Sequence, residues 1–428
     1  MKTNKIYIAV ITIITLSLLS ILFASAAFPI IFSVTWAFTT VLIILSSIHY
    51  TKKYHAPQIN LFPIIKSLKV TTHSKNNITS LETITMTLSE KIGVGSLSGV
   101  ALALYFGGPG SILYILIFTL IASVLSYTET HLAITHKNPN SHGPTSYIQK
   151  NSPRLSSLYS LLLIVAYSGL FLAVQANTIT KVLPLSPQIT SIILTISVLV
   201  LISKSLKTIT RLSSYLMPLM ILAYFLVSIY ILITNLPLIP EVLNKIISSA
   251  LTPKAGLSSL IYIIIYSLQR TIFMTEVGIG TTAISASLAP ENPHKQGLSS
   301  IFTIYLTVFI VCLSTALIIL TSPYETLPLT NPNGIEITLF AFTYHLGTFG
   351  SIFLTITIIM FAYTTIISLS IFGELNLHYL SKKIFKIIIL IITFISCFIN
   401  PSFLWNITDL LVALLIIINI TSMLKVTK

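Results

Sequence analysis

The sequence is poor in charge. Only 8% of its 428 residues are Asp, Glu, Lys or Arg, and just 10 are acids, whereas soluble domains carry about 25% charged residues. With 54% hydrophobic residues and a mean hydropathy of +0.94, a large soluble core is excluded. Cysteine is nearly absent. Cys312 and Cys397 both fall in apolar segments, too few and too separate for a disulfide framework or a metal site, and read as small apolar fillers. What the chain has in abundance is apolar runs of span length. In lipid only helices or closed barrels satisfy the backbone, and barrel strands would alternate, so the fold class is all-α: a polytopic membrane protein embedded in a lipid bilayer.

The net charge of +14 invites a nucleic-acid reading, but the location of the charges answers it. Nineteen of the 24 Lys and Arg residues fall in alternate loops and tails, against three (Lys181, Lys245 and Lys254) on the other side; Lys91 and Arg270 lie within spans. This positive-inside pattern orients a multi-pass protein of the plasma membrane, the inner membrane of a bacterium, with both termini cytoplasmic. The basic excess is a topology device, and no nucleic-acid partner is expected.

Residues 6–26 follow Lys2 and Lys5 and end in small residues, which imitates a cleaved signal peptide. The length of the run and a second apolar segment at 29–49 favour two spans in a tight hairpin; the cleaved reading stays open. Residues 50–80 are polar and basic. Further spans are expected at 88–106, 111–131, 155–175, 187–203, 213–235, 257–289, 298–321, 348–373, 384–399 and 405–424, about twelve in all. Residues 236–256 read as an extracellular connector with a short interfacial helix. Residues 322–347 read as an outer loop, with apolar ITLFAFTYHL giving it a re-entrant character.

Two spans are unusual. Within 257–289 the stretch RTIFMTEVGIGTTAISASLAPENPHKQG (270–297) holds an acid, Glu276, and two glycines, Gly278 and Gly280. A carboxylate costs about 2.5–3.5 kcal/mol at the centre of a span, and glycine roughly 1 kcal/mol over alanine in a helix interior. The span 88–106, closed by GGPG, places Gly93, Gly95, Gly99, Gly107, Gly108 and Gly110 within eighteen positions. Small-residue helix packing (Gly95 with Gly99) is one reading; a break that exposes backbone amides and carbonyls is the other. Among the ten spans after the first two, the glycine-rich ones are the first and the sixth. Two sets of five, of opposite orientation because five is odd, fit an inverted repeat. The expected domains are an N-terminal hairpin and basic loop (1–80), a first repeat (81–235), the connector (236–256) and a second repeat (257–428).

Four colinear stretches resemble the alanine/glycine:cation symporter family. GVGSLSGVALALYFGGPG (93–110) is similar to its GTGNIAGVA…GGPG, and TEVGIGTTAISASLAPENPHKQG (275–297) to its NEAGMGSAP…RQG. VQANTI (174–179) and FAYTTIISLSIFGE (361–374) are similar to its VQANSI and FAFTTIIGW…YGE. The resemblance implies a leucine-transporter-type 5+5 inverted repeat with two discontinuous helices. It implies Na⁺-coupled (in some cases H⁺-coupled) import of alanine or glycine, small neutral amino acids, with no other cofactor. Carried over by position, the backbone around Gly93, Gly95 and Ser96 and around Gly278 and Gly280 would hold the substrate, with Gln175 and Thr365 beside it. Thr364 and Thr365 would give hydroxyl oxygens to the cation beside carbonyls near Ile92 and Gly95. The chain departs from the family at Ser96 (asparagine there), Thr275, Val277 and Leu369 (tryptophan there), which bears on the amino acid selected and on the coupling ion.

The charged residues keep two readings each. Glu276, read as the one deep acid, either accepts hydrogen bonds from freed amides or pairs with Arg270, or takes part in gating. Lys91, beside Glu90 at the break, either pairs with Glu129 as a gate or snorkels to the surface; an amine reaching the cation site would replace sodium and imply proton coupling. Gln175 and Asn177 are ligands or inter-helix glue, and His131 and His345 read as boundary residues. A membrane enzyme would need a nucleophile–base pair or carboxylate dyad at depth, which the sequence does not offer, and a channel would need oligomer-related rings. The expectation is a monomeric secondary transporter and not an enzyme; the alternative is a divergent member with altered substrate, or a sensor that binds without transport.

Overall fold

Helix starts are written locally in this chain. Ser152, Ser186, Asn292 and Asn400 each accept a backbone N–H of the following turn and each precedes a proline at the first helical position, where the missing N–H costs nothing and φ is preset. Thr79 and Glu82 form a reciprocal capping box. The computed structural model describes residues 27–68, 79–138, 141–204, 206–251, 257–288, 292–328, 332–377 and 381–427. The expected span at 6–26, and so the N-terminal hairpin, lies outside the described residues.

In chain order the helices are α1 (Phe28–Lys53), α2 (Leu61–Lys66), α3 (Ser80–Lys91), α4 (Val94–Gly107), α5 (Ser111–Thr135), α6 (Thr145–Asn151), α7 (Pro153–Val182) and α8 (Pro187–Ile202). They continue with α9 (Leu206–Thr234), α10 (Ile239–Leu251), α11 (Leu257–Thr275), α12 (Thr281–Ala286), α13 (Pro293–Leu320), α14 (Ile335–Leu375), α15 (Lys382–Ser396) and α16 (Pro401–Val426). Among the described residues there is no strand, only an isolated bridge between Asn138 and Ser141. Seven of the described helices are long and apolar enough to cross a membrane. The outer helices turn apolar side chains outward: Ile30, Val34 and Phe38 on α1, Ile192 and Ile196 on α8, Leu219, Leu226 and Ile233 on α9. Such a girdle is stable against lipid and not against water. This is a multi-pass membrane protein.

Two sequence expectations are corrected. Residues 322–347 are not a loop throughout: from Ile335 the chain is helical, and the run reverses at Gly347 (φ 58°, ψ −141°) before continuing to Leu375. The reversal is tight enough that a Cβ on Gly350 would lie 2.1 Å from the Phe342 carbonyl oxygen. The span expected at 155–175 runs on to Val182, because a π-helical stretch at Ile164–Phe171 is absorbed without ending the helix. The connector's helix is α10, with Val242, Ile246 and Ala250 buried on one face.

The two glycine-bearing spans are interrupted. α3 and α4 are separated at Ile92–Gly93, and α11 and α12 at Glu276–Gly280. The interrupted pairs lie side by side, α4 on α11 and α3 on α12, with α5, α7, α14 and α16 packed around them.

Candidate functional site

At the first break Ile92 (φ −89°, ψ 77°) and Gly93 (φ −126°, ψ −154°) leave the helical region. Gly93 is required by close approach: a Cβ there would stand 2.5 Å from Thr365 Oγ1 and 3.2 Å from Gln175 Oε1. A restarted helix leaves its first N–H groups without intrahelical partners. One is taken by a neighbour, since Val94 N–H donates to Gln175 Oε1 at 3.0 Å. Gln175 lies about one turn beyond the π-helical stretch of α7, a winding defect often found at functional sites. The Thr365 hydroxyl, on α14, donates to the Ser89 carbonyl (2.7 Å) just before the break.

The second break is built from left-handed residues: Glu276 (φ 56°), Gly278 (φ 84°) and Gly280 (φ 101°). For a non-glycine residue this conformation costs on the order of 1–3 kcal/mol, so the surroundings must hold Glu276 in place. They do. The Thr281 hydroxyl donates to Glu276 Oε2 (2.6 Å). At Gly280 any side chain would strike Pro144 at 2.1 Å. The carbonyls freed by the break are claimed from three sides: Thr275 by Lys91 Nζ (2.6 Å), Gly278 by Asn419 Nδ2 (2.9 Å) and Ile279 by the Tyr159 hydroxyl (2.5 Å). Lys91 also donates to Thr282 Oγ1 (2.6 Å), so one ammonium straddles the break.

Around Lys91 lies a buried acidic group. Glu90, Lys91, Glu129 and Glu276 are 3%, 1%, 0% and 1% exposed. Glu129 Oε1 accepts from Asn419 Nδ2 (2.8 Å), which also bonds the Tyr147 hydroxyl through its carbonyl (2.5 Å). Both carboxylate oxygens of Glu90, one of Glu129 and one of Glu276 have no hydrogen-bond partner.

Toward the end of the bundle where α4 finishes and α11 and α16 begin, Phe273 stacks on Phe171 (4.2 Å between centroids, 13°) and leans on Trp405 (4.4 Å). Its ring covers Gly95, where a Cβ would come within 2.7 Å of it. Beyond it Arg270 forms a buried ion pair with Asp409 and lies over the Trp405 ring at 4.9 Å. An open cleft of about 410 Å³, lined by Trp36, Tyr266, Arg270, Trp405 and Asp409, sits against this pair.

Of the residues singled out from the sequence, the structure gathers Gly93, Gln175 and Thr365 at the first break, with Gly95 against Phe273. Ser96 turns its hydroxyl back to the Gly93 carbonyl (2.8 Å). Thr364 is one position away but faces elsewhere, bonding the carbonyls of Met360 and Phe361 on its own helix. Gly278 and Gly280 face α16 and α6, against Ile416 and Pro144. Asn177 is inter-helix glue, donating to the Ser396 and Ile399 carbonyls.

Arg270 pairs with Asp409 and not with Glu276, and Lys91 donates to Thr275 and Thr282 and not to Glu129. Glu276 is not the one deep acid: Glu90, Glu129 and Asp409 are equally buried. Placement by hydropathy puts Glu90 and Glu129 near span ends, where neighbouring helices nonetheless bury them. Asp409, Asn419, Tyr147 and Tyr159 were missed. A lone acid, and an amide in the most apolar stretch of helix α16, were the available signal for the first two.

Residues 22–428 match the sodium:alanine symporter family. The chain is 30% identical over 387 residues to an uncharacterized transporter of Escherichia coli, YaaJ, covering 84% of this chain and 81% of that one. It is 27% identical to the sodium/alanine symporter AgcS of Methanococcus maripaludis, covering 92% of each. It is also 27% identical to the probable sodium/glutamine symporter GlnT of Bacillus subtilis, covering 92% and 86%. In fold it is similar to a manganese transporter of Eremococcus coleocola, at a TM-score of 0.56 and 14% identity over 80% of this chain and 78% of that one. A match across nearly its whole length places this chain in the sodium:alanine symporter family.

Proposed function

We propose that the protein imports a small neutral amino acid, alanine or glycine, by symport with a monovalent cation, Na⁺ or H⁺, through alternating access. The observation that carries this is the adjacency of two helix breaks whose freed backbone groups are held by side chains from neighbouring helices. A zwitterion needs partners for both its charges where water is excluded, and helix starts and freed carbonyls supply them without adding net charge. The substrate sits between Gly93–Gly95, Gln175, Thr365 and Phe273. Gln175 Oε1 occupies the position on Val94 N–H that a substrate carboxylate oxygen takes when the amide swings aside. Phe273, with Arg270 and Asp409 behind it, closes this space from the cleft.

The two sets of five spans (81–235 and 257–428) form an inverted repeat around this site, with both termini cytoplasmic and the chain acting as a monomer. Membership of a symporter family and the relatives' names support transport over catalysis. The test is uptake of radiolabelled alanine, glycine and glutamine into proteoliposomes under an imposed Na⁺ or proton gradient. Accumulation of alanine or glycine under one of these gradients is expected; accumulation driven by neither would end the symport reading, and a preference for glutamine would end the size assignment.

A further inference from the structure

The end of α1 and the short helix α2 enclose a groove on the outside of the bundle. After α1 the chain reverses through two left-handed residues, His55 (φ 56°) and Ala56 (φ 54°), a strained turn that its surroundings must hold. Two bonds hold it: Gln58 Nε2 donates to Thr51 Oγ1 (2.7 Å), and the Tyr305 hydroxyl of α13 donates to the Gln58 carbonyl (2.6 Å). The turn lays α2 against α13, where the Ser67 and Ser299 hydroxyls bond at 3.1 Å. Between α1, α2, α5 and α13 this leaves a groove of about 1150 Å³, walled by Ile44, Ile48, Ile65, Leu120, Phe302 and Phe309.

The polar groups of the groove come from the last turn of α1 and the reversal after it. Lys52 and Gln58 line it, and Lys66 directly follows Ile65. Lys52 and Lys66 are exposed, neither pairs with a carboxylate among the described residues, and no acid lines the groove. Lys53 differs, since its ammonium is taken by the Thr427 carbonyl. Gln58 is 5% exposed, yet its Oε1 has no donor among the described residues, and a buried polar atom is rarely left in that state. Beside these groups Ile59, Leu61 and Phe62 are all exposed. Apolar side chains next to lysines on a short surface helix suit the boundary between hydrocarbon and headgroups, so the basic end of the groove lies at headgroup depth.

We propose that the groove binds one anionic phospholipid whose headgroup carries a hydroxyl, with phosphatidylglycerol as the simplest case. An acyl chain runs along the apolar walls, the phosphate meets Lys52 and Lys66, and the headgroup hydroxyl donates to Gln58 Oε1. An amino acid is the wrong ligand here, because no acid meets its ammonium and the walls are apolar. None of the residues at the two helix breaks lines the groove, so the site goes beyond the transport reading and does not depend on it. Phe309 and Ile310 belong to the π-helical stretch of α13, which packs on α4 and α11. A lipid seated there braces the helix beside the interrupted pair.

Native mass spectrometry of the full-length protein, delipidated in detergent and then given single lipids of identical acyl chains, tests the site. One phosphatidylglycerol should be retained at least tenfold more strongly than phosphatidylcholine. A lysine near an anionic headgroup strengthens binding by about fivefold, so Lys52→Gln with Lys66→Gln should bind about twentyfold more weakly. Lys383→Gln, an exposed lysine on α15 that does not line the groove, should bind as the wild type does. Leu120→Trp, which narrows the groove and leaves its charge alone, should also lose the lipid, and glycerol phosphate, a headgroup without tails, should not displace it. Phosphatidylmethanol has the same charge and no hydroxyl to donate, and should bind several-fold more weakly; equal binding would overturn the Gln58 contact. Equal retention of phosphatidylcholine would overturn the proposal, as would full binding by Leu120→Trp, the mark of a charged surface without a groove. A wild type that retains no lipid, the result if residues 6–26 of the chain fill the groove, would overturn it as well.

Discussion

The ammonium of Lys91, the last residue before the first helix break, donates to the carbonyl oxygen of Thr275, the last residue before the second. One side chain thus ties two discontinuities that lie 184 positions apart in the chain. Whatever moves one break is felt at the other through a single hydrogen-bonded ammonium, which also holds Thr282 across the gap.

Replacing that ammonium tests the tie. Hydrogen bonds to charged groups contribute about 1.5–3 kcal/mol, and each 1.4 kcal/mol is roughly a factor of ten. Lys91→Met should therefore lower initial uptake by about ten- to a hundredfold. Thermal unfolding in detergent should fall with it, because Thr275 loses its donor. Wild-type uptake rates in the methionine variant would show that the tie has no part in transport.

Gly93→Ala places a methyl group 2.5 Å from Thr365 Oγ1. Forced repacking of this kind costs about 1–3 kcal/mol, and the shift falls on the Val94–Gln175 contact. Uptake should drop at least tenfold while membrane insertion, read by fluorescence size exclusion, is normal. Adding Thr365→Ala should recover stability without recovering transport, since the space returns and the hydroxyl does not.

Arg270 and Asp409 are a buried pair, 2% and 5% exposed in their side chains. Removing one partner of such a pair costs about 3–5 kcal/mol because the other charge is left unpaired. Asp409→Asn should lower the unfolding midpoint clearly, and Arg270→Gln together with Asp409→Asn should be milder than either alone. An additive double variant, measured by thermal unfolding in detergent, would contradict the pairing.

Asn419 bonds Glu129, Gly278 and Tyr147 at once. Asn419→Leu leaves a buried carboxylate oxygen and a freed carbonyl without donors, each costing about 1–3 kcal/mol. The variant should lose stability on that scale and show faster hydrogen exchange around residues 276–280. Unchanged exchange there would remove Asn419 from the support of the second break.

The sequence by itself determined the class and the places of interruption. Lack of charge with apolar runs forced a helical membrane protein, and Gly93, Gly278 and Gly280 marked where helices could not continue, because glycine content and hydropathy are local properties. Serine–proline and asparagine–proline pairs fixed several helix starts for the same reason. Only the tertiary structure decided the partners. Arg270 is six residues from Glu276 and 139 from Asp409, yet it pairs with Asp409, because helix packing and not chain distance sets which charges share a buried volume. Glu90 and Glu129 lie near the ends of the expected spans 88–106 and 111–131, yet neighbouring helices bury them. A single chain shows which groups are costly to bury; it takes the packed bundle to show which neighbours compensate them.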